Sequence, residues 1–331
     1  MREPLPQASG GCDSIPVVDL KPSFSRDLAD RRAVAREIRA AGSATGFFYV
    51  RNHGVPAWLT AEHLALARAF FDLPEHEKRE IDIRFSNCTR GYEPIAAQTL
   101  DAGTPADFKE GFLIGNDLDA EHPYVRAGVP NTGANQWPRN PSQLRDHFER
   151  YLTQMLALGR HIMRALALSL ELPEAYFDDG LAEPTYVSRL LHYPPRPESL
   201  PAGTLGAGAH VDWGLLTILL QDDIGGLEVR SPARDWIAAP YIPDTFIVNL
   251  GEMFPVLTNG LYRASMHRVI SNTSGRGRSR YSAPTFIDPD YFYRVACVPT
   301  CMPARGAPDF APATVGEHLA ARYRQTYAPA G

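Results

Sequence analysis

Apolar and polar positions along the chain fall into two regimes, helical spacing early and strand-like alternation later. Ile15–Leu20 opens as a short strand, and Arg26–Ala41 carries Leu28, Val34 and Ile38 on one side, the mark of an amphipathic helix. Phe47–Val50 is a continuous apolar run of strand length. Pro56 then starts a second helix through Leu59, Leu66 and Phe70, which Leu73-Pro74 interrupts. From Ile83 to Asn140 no period holds, and Gly and Pro recur. The longest helical pattern runs from Pro141 to Leu172, with Leu144, Phe148, Leu152, Met155, Ile162 and Leu166 at three- and four-residue steps and Pro173 beyond its end. Strand-like runs follow at Tyr186–Pro195, Thr217–Gln221, Gly226–Arg230, Phe246–Leu250 and Arg268–Ser271, and a short helix closes near Val315–Tyr327. Many short strands after a helix-rich start predict a mainly β fold with flanking helices, a distorted double-stranded β-helix or jelly roll.

This pattern divides the chain into a supporting region, 1–140, and a core, 141–331. The first ends in an irregular segment suited to cover a pocket; the second holds the spine helix, the strands and the C-terminal helix. With 331 residues the chain can bury a large core. A formal net charge of -5 without a Lys/Arg run argues against nucleic acid or an anionic membrane as partner. No obligate protein partner is evident. The four cysteines, Cys12, Cys88, Cys297 and Cys301, make no disulfide framework, and Cys297 and Cys301 are expected as free thiols. Met1–Asp13 lacks the apolar stretch of a signal peptide, and no run of about 18 apolar residues occurs, so a cytoplasmic setting is expected.

The chemistry concentrates between Gly206 and Ser282. In an extended strand, residues i and i+2 share a face, so His210 and Asp212 can point together into a barrel while Val211 points away. With His267 from a later strand they would complete a 2-His-1-carboxylate facial set on a divalent metal, with positions left open for oxygen and substrate. Arg280 and Ser282 repeat the spacing: a guanidinium and a hydroxyl on one face can grip a carboxylate. The preceding Gly206–Ala209 lacks the spacing of a phosphate loop and leads into a strand.

These residues, with Ile15-Pro16-Val17-Val18-Asp19-Leu20, Asn52-His53-Gly54-Val55-Pro56, Asn249-Leu250-Gly251-Glu252 and His267-Arg268-Val269, resemble the iron(II)- and 2-oxoglutarate-dependent dioxygenases of the isopenicillin N synthase-like superfamily. The run Leu191-His192-Tyr193-Pro194 looks most like the thymine 7-hydroxylase-like bacterial and fungal members. The resemblance implies Fe(II) on His210, Asp212 and His267. It also implies 2-oxoglutarate with its far carboxylate on Arg280 and Ser282 and a contact from Tyr193, and O2 as the second co-substrate. Hydroxylation of a small molecule, with release of succinate and CO2, is the implied outcome. Leu191 stands where many relatives carry an Asn that helps hold 2-oxoglutarate. Two other readings stay open: an iron oxidase of the same superfamily that needs no 2-oxoglutarate, and a metal-stabilised binding protein without turnover.

Pocket walls are expected from Tyr92 and Phe112 in the irregular segment, and from Trp213, Phe286 and Asn249. Tyr323 or Tyr327 of the last helix is a further candidate at the mouth. His192, one residue from Tyr193, points to the other strand face and is expected to be a satisfied packing residue. His147 and His161, lone on a helix, are given no role.

Overall fold

The computed structural model describes residues 14–101, 103–270 and 277–327, with side chains to 322. Strand β1 (Val17–Asp19) leads to α1 (Leu28–Ala44), capped by Asp27, whose carboxylate accepts from Ala29 N. Then come β2 (Phe47–Arg51), α2 (Ala57–Phe71), the short α3 (Glu75–Arg79), β3 (Gly91–Glu93), β4 (Glu110–Gly115), the single turn α4 (Pro123–Arg126) and the spine helix α5 (Leu144–Ser169). The strands β5 (Thr185–Tyr193), β6 (Ala207–His210), β7 (Leu216–Gln221), β8 (Leu227–Arg230), β9 (Trp236–Ala239) and β10 (Thr245–Leu250) follow. After α6 (Met253–Thr258) come β11 (His267–Val269), β12 (Arg280–Asp288), the pair β13 (Arg294–Val295) and β14 (Ala313–Thr314), and α7 (Val315–Tyr327).

Eight strands form the major sheet in the order β1-β2-β10-β7-β12-β5-β4-β3, and four form a minor sheet, β6-β11-β8-β9. Every pairing in these sheets is antiparallel except β1 with β2. Alternation along each strand sorts two cores. Phe47, Tyr49, Leu191, Tyr193 and Ile247 meet Ala207, Leu227, Val229 and Val269 between the sheets. Their neighbours Phe48, Val50, Leu190 and Val248 turn the other way, into the layer shared with α1, α2 and α5. Helix α5 lies close on the major sheet at Gly159, where an added Cβ would stand 2.5 Å from Ile287 Cδ1.

Two expectations are corrected here. Glu110–Phe112 is not a loop: it belongs to β4, a buried strand hydrogen-bonded between β3 and β5. Tyr92 and Phe112 therefore do not face a pocket. They pair with each other, Phe112 pairs with Leu190, and this face is the helix-covered one, where Phe70 lies 5.0 Å from the Phe112 ring and 6.2 Å from the Tyr92 ring. The inward residue on β4 is Leu113, opposite Arg189. Charge hid this strand in the sequence, because Glu110 is buried but satisfied, by Lys78 Nζ at 2.8 Å, Tyr92 Oη at 2.5 Å and His192 Nδ1 at 2.7 Å.

His192 is thus a paired core residue, its Nε2 2.8 Å from Ser279 Oγ. Cys297 and Cys301 are free thiols. Ser271, Cys12 and the segment Met1–Asp13 lie outside the described residues. Among the described residues no helix is long and apolar enough to cross a membrane.

Candidate active site

Strands β6 and β11 bring the three metal-ligand candidates together. His210, last in β6, pairs across the ladder with His267, first in β11. Their Nε2 atoms lie 3.7 Å and 3.6 Å from Oδ1 of Asp212. His210 Nδ1 donates to Gly208 O at 2.7 Å, and His267 Nδ1 faces Ser265 O at 3.3 Å. A carbonyl can only accept, so these contacts put the proton on Nδ1 and leave each Nε2 lone pair facing the common centre. Asp212 is oriented in the same way. Its Oδ2 accepts from Thr217 Oγ1 at 2.6 Å and Asn249 Nδ2 at 2.7 Å, which leaves Oδ1 for the centre.

Electrostatics favour the deprotonated forms of His210 and Asp212. Burial, then the neighbouring His267, lowers His210 to about 3. Burial pushes Asp212 up, but the two imidazoles, Thr217 and Asn249 outweigh it and hold the carboxyl below its usual range. Two neutral imidazoles and one carboxylate are the state in which such groups coordinate. Among the described residues no fourth Cys, His, Asp or Glu joins them, so a bound ion would keep open positions.

A second constellation sits where β12 runs beside β5. Arg280 pairs with Tyr193 and Ser282 with Leu191. Arg280 is 2% exposed; its Nη1 donates to Ser282 Oγ at 3.2 Å, its Nε to Gly225 O at 2.5 Å, and its guanidinium lies 4.6 Å from the Tyr193 ring centre. None of these partners is an anion, and among the described residues no carboxylate pairs with it within 4.0 Å. A buried guanidinium held by neutral groups fits a small carboxylate. Leu191, opposite Ser282 on the inward row, offers that ligand only an apolar side chain.

Comparison with known proteins decides the family. The 2OG-Fe(II) oxygenase superfamily model matches residues 184–289, and a model described as the N-terminal region of a non-haem dioxygenase in morphine synthesis matches 15–140. A 2-oxoglutarate-Fe(II) type oxidoreductase of Emericella nidulans is 33% identical over 94% of this chain and 90% of its own. The chain belongs to the 2OG-Fe(II) oxygenases. A homoarginine-6-hydroxylase of Glycine max is likewise 33% identical, over 92% of this chain and 95% of its own. Thymine 7-hydroxylase of Neurospora crassa, solved with alpha-KG and thymine, superposes with a TM-score of 0.83 at 25% identity, covering 95% of this chain and 97% of that one. The protein is accordingly a 2-oxoglutarate-dependent dioxygenase with a jelly-roll core, using Fe(II), 2-oxoglutarate and O2 to oxidise a small molecule with release of succinate and CO2.

A cavity of about 230 Å³ opens beside His210 and Asp212 of this oxygenase. Trp213 and Phe286 line it, as do Leu113, Val187 and Arg189. Asn249 is not in the wall; it holds Asp212 instead. The segment between β3 and α5 supplies much of the outer wall, including Asn116, Leu118 and Tyr124, and α7 supplies Leu319 and Ala320. Helix α7 is fastened beside the triad: His318 Nε2 donates to Trp213 O at 2.7 Å, and Arg322 pairs with Glu252 at 2.6 Å. The Tyr323 and Tyr327 side chains lie outside the described residues.

The sequence reading missed Arg189 and Asp288 in this wall. Period two contained the signal, since Arg189 precedes Leu191 and Tyr193 on the inward row of β5, and Asp288 ends the inward row Arg280, Ser282, Phe286 of β12.

Proposed function

We propose that His210, Asp212 and His267 hold Fe(II), that Arg280, Ser282 and Tyr193 hold 2-oxoglutarate by its far carboxylate, and that the cavity beyond Trp213 and Phe286 takes the substrate. The observation that carries this reading is the directed donor set: both Nε2 atoms and Asp212 Oδ1 face one point, each fixed by a hydrogen bond at its other end. Bound there with its co-substrate, iron supplies the oxidising chemistry. The chain's own residues orient and enclose. Thr217 and Asn249 stop the Asp212 carboxylate from rotating, Arg280 fixes the far end of the co-substrate, and Trp213 and Phe286 keep water from the reacting carbon. Hydroxylation is the outcome we assign.

Thymine and homoarginine in the names of relatives support a compact substrate. We read residues 1–140 as the part that supports and covers this site and 141–331 as the part that carries it. No nucleic acid, membrane or obligate protein partner is proposed. Free thiols at Cys88, Cys297 and Cys301 support a cytoplasmic setting.

The test is the anaerobic visible spectrum of the protein with Fe(II), before and after 2-oxoglutarate. A metal-to-ligand charge-transfer band that appears with the co-substrate and is lost in His267→Ala is the expected result. Bound iron without the band would remove the 2-oxoglutarate assignment, and a band unchanged in His267→Ala would remove the triad.

A further inference from the structure

The outer half of the cavity is acidic in a specific way. Thr185 pairs with Asp288 at the ends of β5 and β12, which brings Glu183, Asp288 and Asp290 to one side of the cavity. Asp290 is already committed, its Oδ2 to Tyr124 Oη at 2.5 Å and its Oδ1 to Phe292 N at 2.9 Å. Asp288 is not. It is 6% exposed, its Oδ1 accepts from Leu215 N at 2.5 Å, and its Oδ2 accepts no hydrogen bond from any described residue. Gly214 is what lets the carboxyl lie there, since a Cβ at that position would stand 2.8 Å from Oδ2.

The cations that line the same cavity are engaged elsewhere. Arg189 pairs with Glu93 at 2.5 Å, and Arg90 donates to the carbonyls of Cys88, Thr89 and Asn131. A carboxylate oxygen that faces a cavity with no donor from the protein is most strongly compensated by a cation that brings its own N–H groups. Burial, with Asp212 adding to it, pushes Asp288 up to about 6, against the bond from Leu215 N and the neighbouring His318. Between Asp288 and the triad the wall is apolar, built by Phe286, Val187 and Trp213.

We propose that Asp288 is a specificity-determining residue and that the substrate carries a protonated nitrogen, an ammonium, amidinium or guanidinium, on a compact apolar body. The proposal rests on the assignment of this cavity as the substrate site. Gly214, against Asp288, is two residues from the ligand Asp212, a reach of about 7 Å along the chain. The nitrogen therefore sits only a few bonds from the carbon that is oxidised.

The test uses three probes of one shape, benzylamine, benzyl alcohol and phenylacetate. Their binding is measured by calorimetry on the full chain without metal and by the shift of the anaerobic Fe(II)–2-oxoglutarate band. Benzylamine is expected to bind at least ~10-fold tighter than the alcohol, with phenylacetate weakest, and Asp288→Asn, which keeps the bond from Leu215 N, is expected to bring amine and alcohol within ~2-fold. Equal affinities, no affinity for benzylamine, or a preference that survives in Asp288→Asn overturns the proposal. The two failures separate: if the iron band never forms, the cofactor assignment fails, while calorimetry still decides the amine preference.

Discussion

Asn249 Nδ2 donates to Asp212 Oδ2 at 2.7 Å, from the last inward position of β10 to a carboxylate two residues beyond the end of β6. With Thr217 it fixes which oxygen of Asp212 faces the imidazoles. Removing such an outer partner of a metal ligand typically costs about 10–100-fold in metal affinity. Asn249→Ala is expected to stay folded and to weaken Fe(II) or Co(II) binding by that factor, measured by anaerobic titration. Unchanged affinity would mean that Thr217 orients the carboxylate alone.

The co-substrate anchor makes a sharper demand. Arg280 is buried among neutral partners, so its loss takes away the guanidinium charge that would meet a carboxylate there. Truncating one partner of a desolvated charge pair costs about 2–5 kcal/mol, so Arg280→Ala should raise the KM for 2-oxoglutarate by more than ~30-fold. Arg280→Lys should fall between, because lysine restores charge without the planar fork. Initial rates against 2-oxoglutarate concentration check both, and an unchanged KM in Arg280→Ala would move the anchor elsewhere.

Helix α5 tests the packing. In Gly159→Ala the new methyl would meet Ile287 Cδ1 at 2.5 Å. Gain of helix propensity, about 1 kcal/mol, competes with an overpacking cost of about 1–3 kcal/mol, so the single variant should be neutral to destabilised. Ile287→Val removes the colliding atom. Placed in that background, Gly159→Ala should become stabilising, a change of sign that urea midpoints of the four proteins would reveal.

Stability below neutral pH should depend on His63. Its ring stacks 3.7 Å from that of Tyr151, neither ring nitrogen has a hydrogen-bond partner among the described residues, and burial, then His147, holds its pKa well below 6.5. The folded chain keeps this imidazole neutral while the unfolded chain protonates it below about 6.5, so the stability it contributes is present above that pH and is lost as pH falls. One such group gives a slope of about 1.4 kcal/mol per pH unit. His63→Leu should make the fall in unfolding free energy between pH 6.5 and 5 shallower by up to that amount. An identical slope in the variant would place the sensitivity in His53, His147 or His161, which burial also lowers.

Most of the strand framework was legible because β2, β7 and β10 are nearly continuous apolar runs of strand length, buried on both faces. The shared face of Arg280 and Ser282 followed from strand spacing within β12, whereas Asp212 lies beyond the end of β6 and reaches His210 from the turn that follows, with Val211 in the same cavity wall. What misled was charge and glycine. Glu110 and Gly111 read as loop because the burial of Glu110 depends on partners distant in sequence, Lys78 and His192. Once β4 was missed, the face of Phe112 could not be known, and an aromatic was assigned to the cavity that its neighbour Leu113 lines. Asn249 shows the converse: its inward direction was readable, but its acceptor was not, since Asp212 lies 37 positions away.

Strand β12 carries the proposed co-substrate anchor at one end and residues of the cavity wall at the other. Arg280 and Asp288 are the first and last residues of a single nine-residue strand, at about 3.4 Å per residue a fixed separation of roughly 27 Å. The strand works as a ruler, graduated every second residue. Exchanging side chains at its far marks, Phe286 and Asp288, can alter what is oxidised without moving the marks that hold 2-oxoglutarate, whereas inserting one residue between them would turn one set of marks to the helices. On the proposed assignment, new substrate preferences would be reached by substitution along β12, and insertions would be tolerated in the loops at its ends.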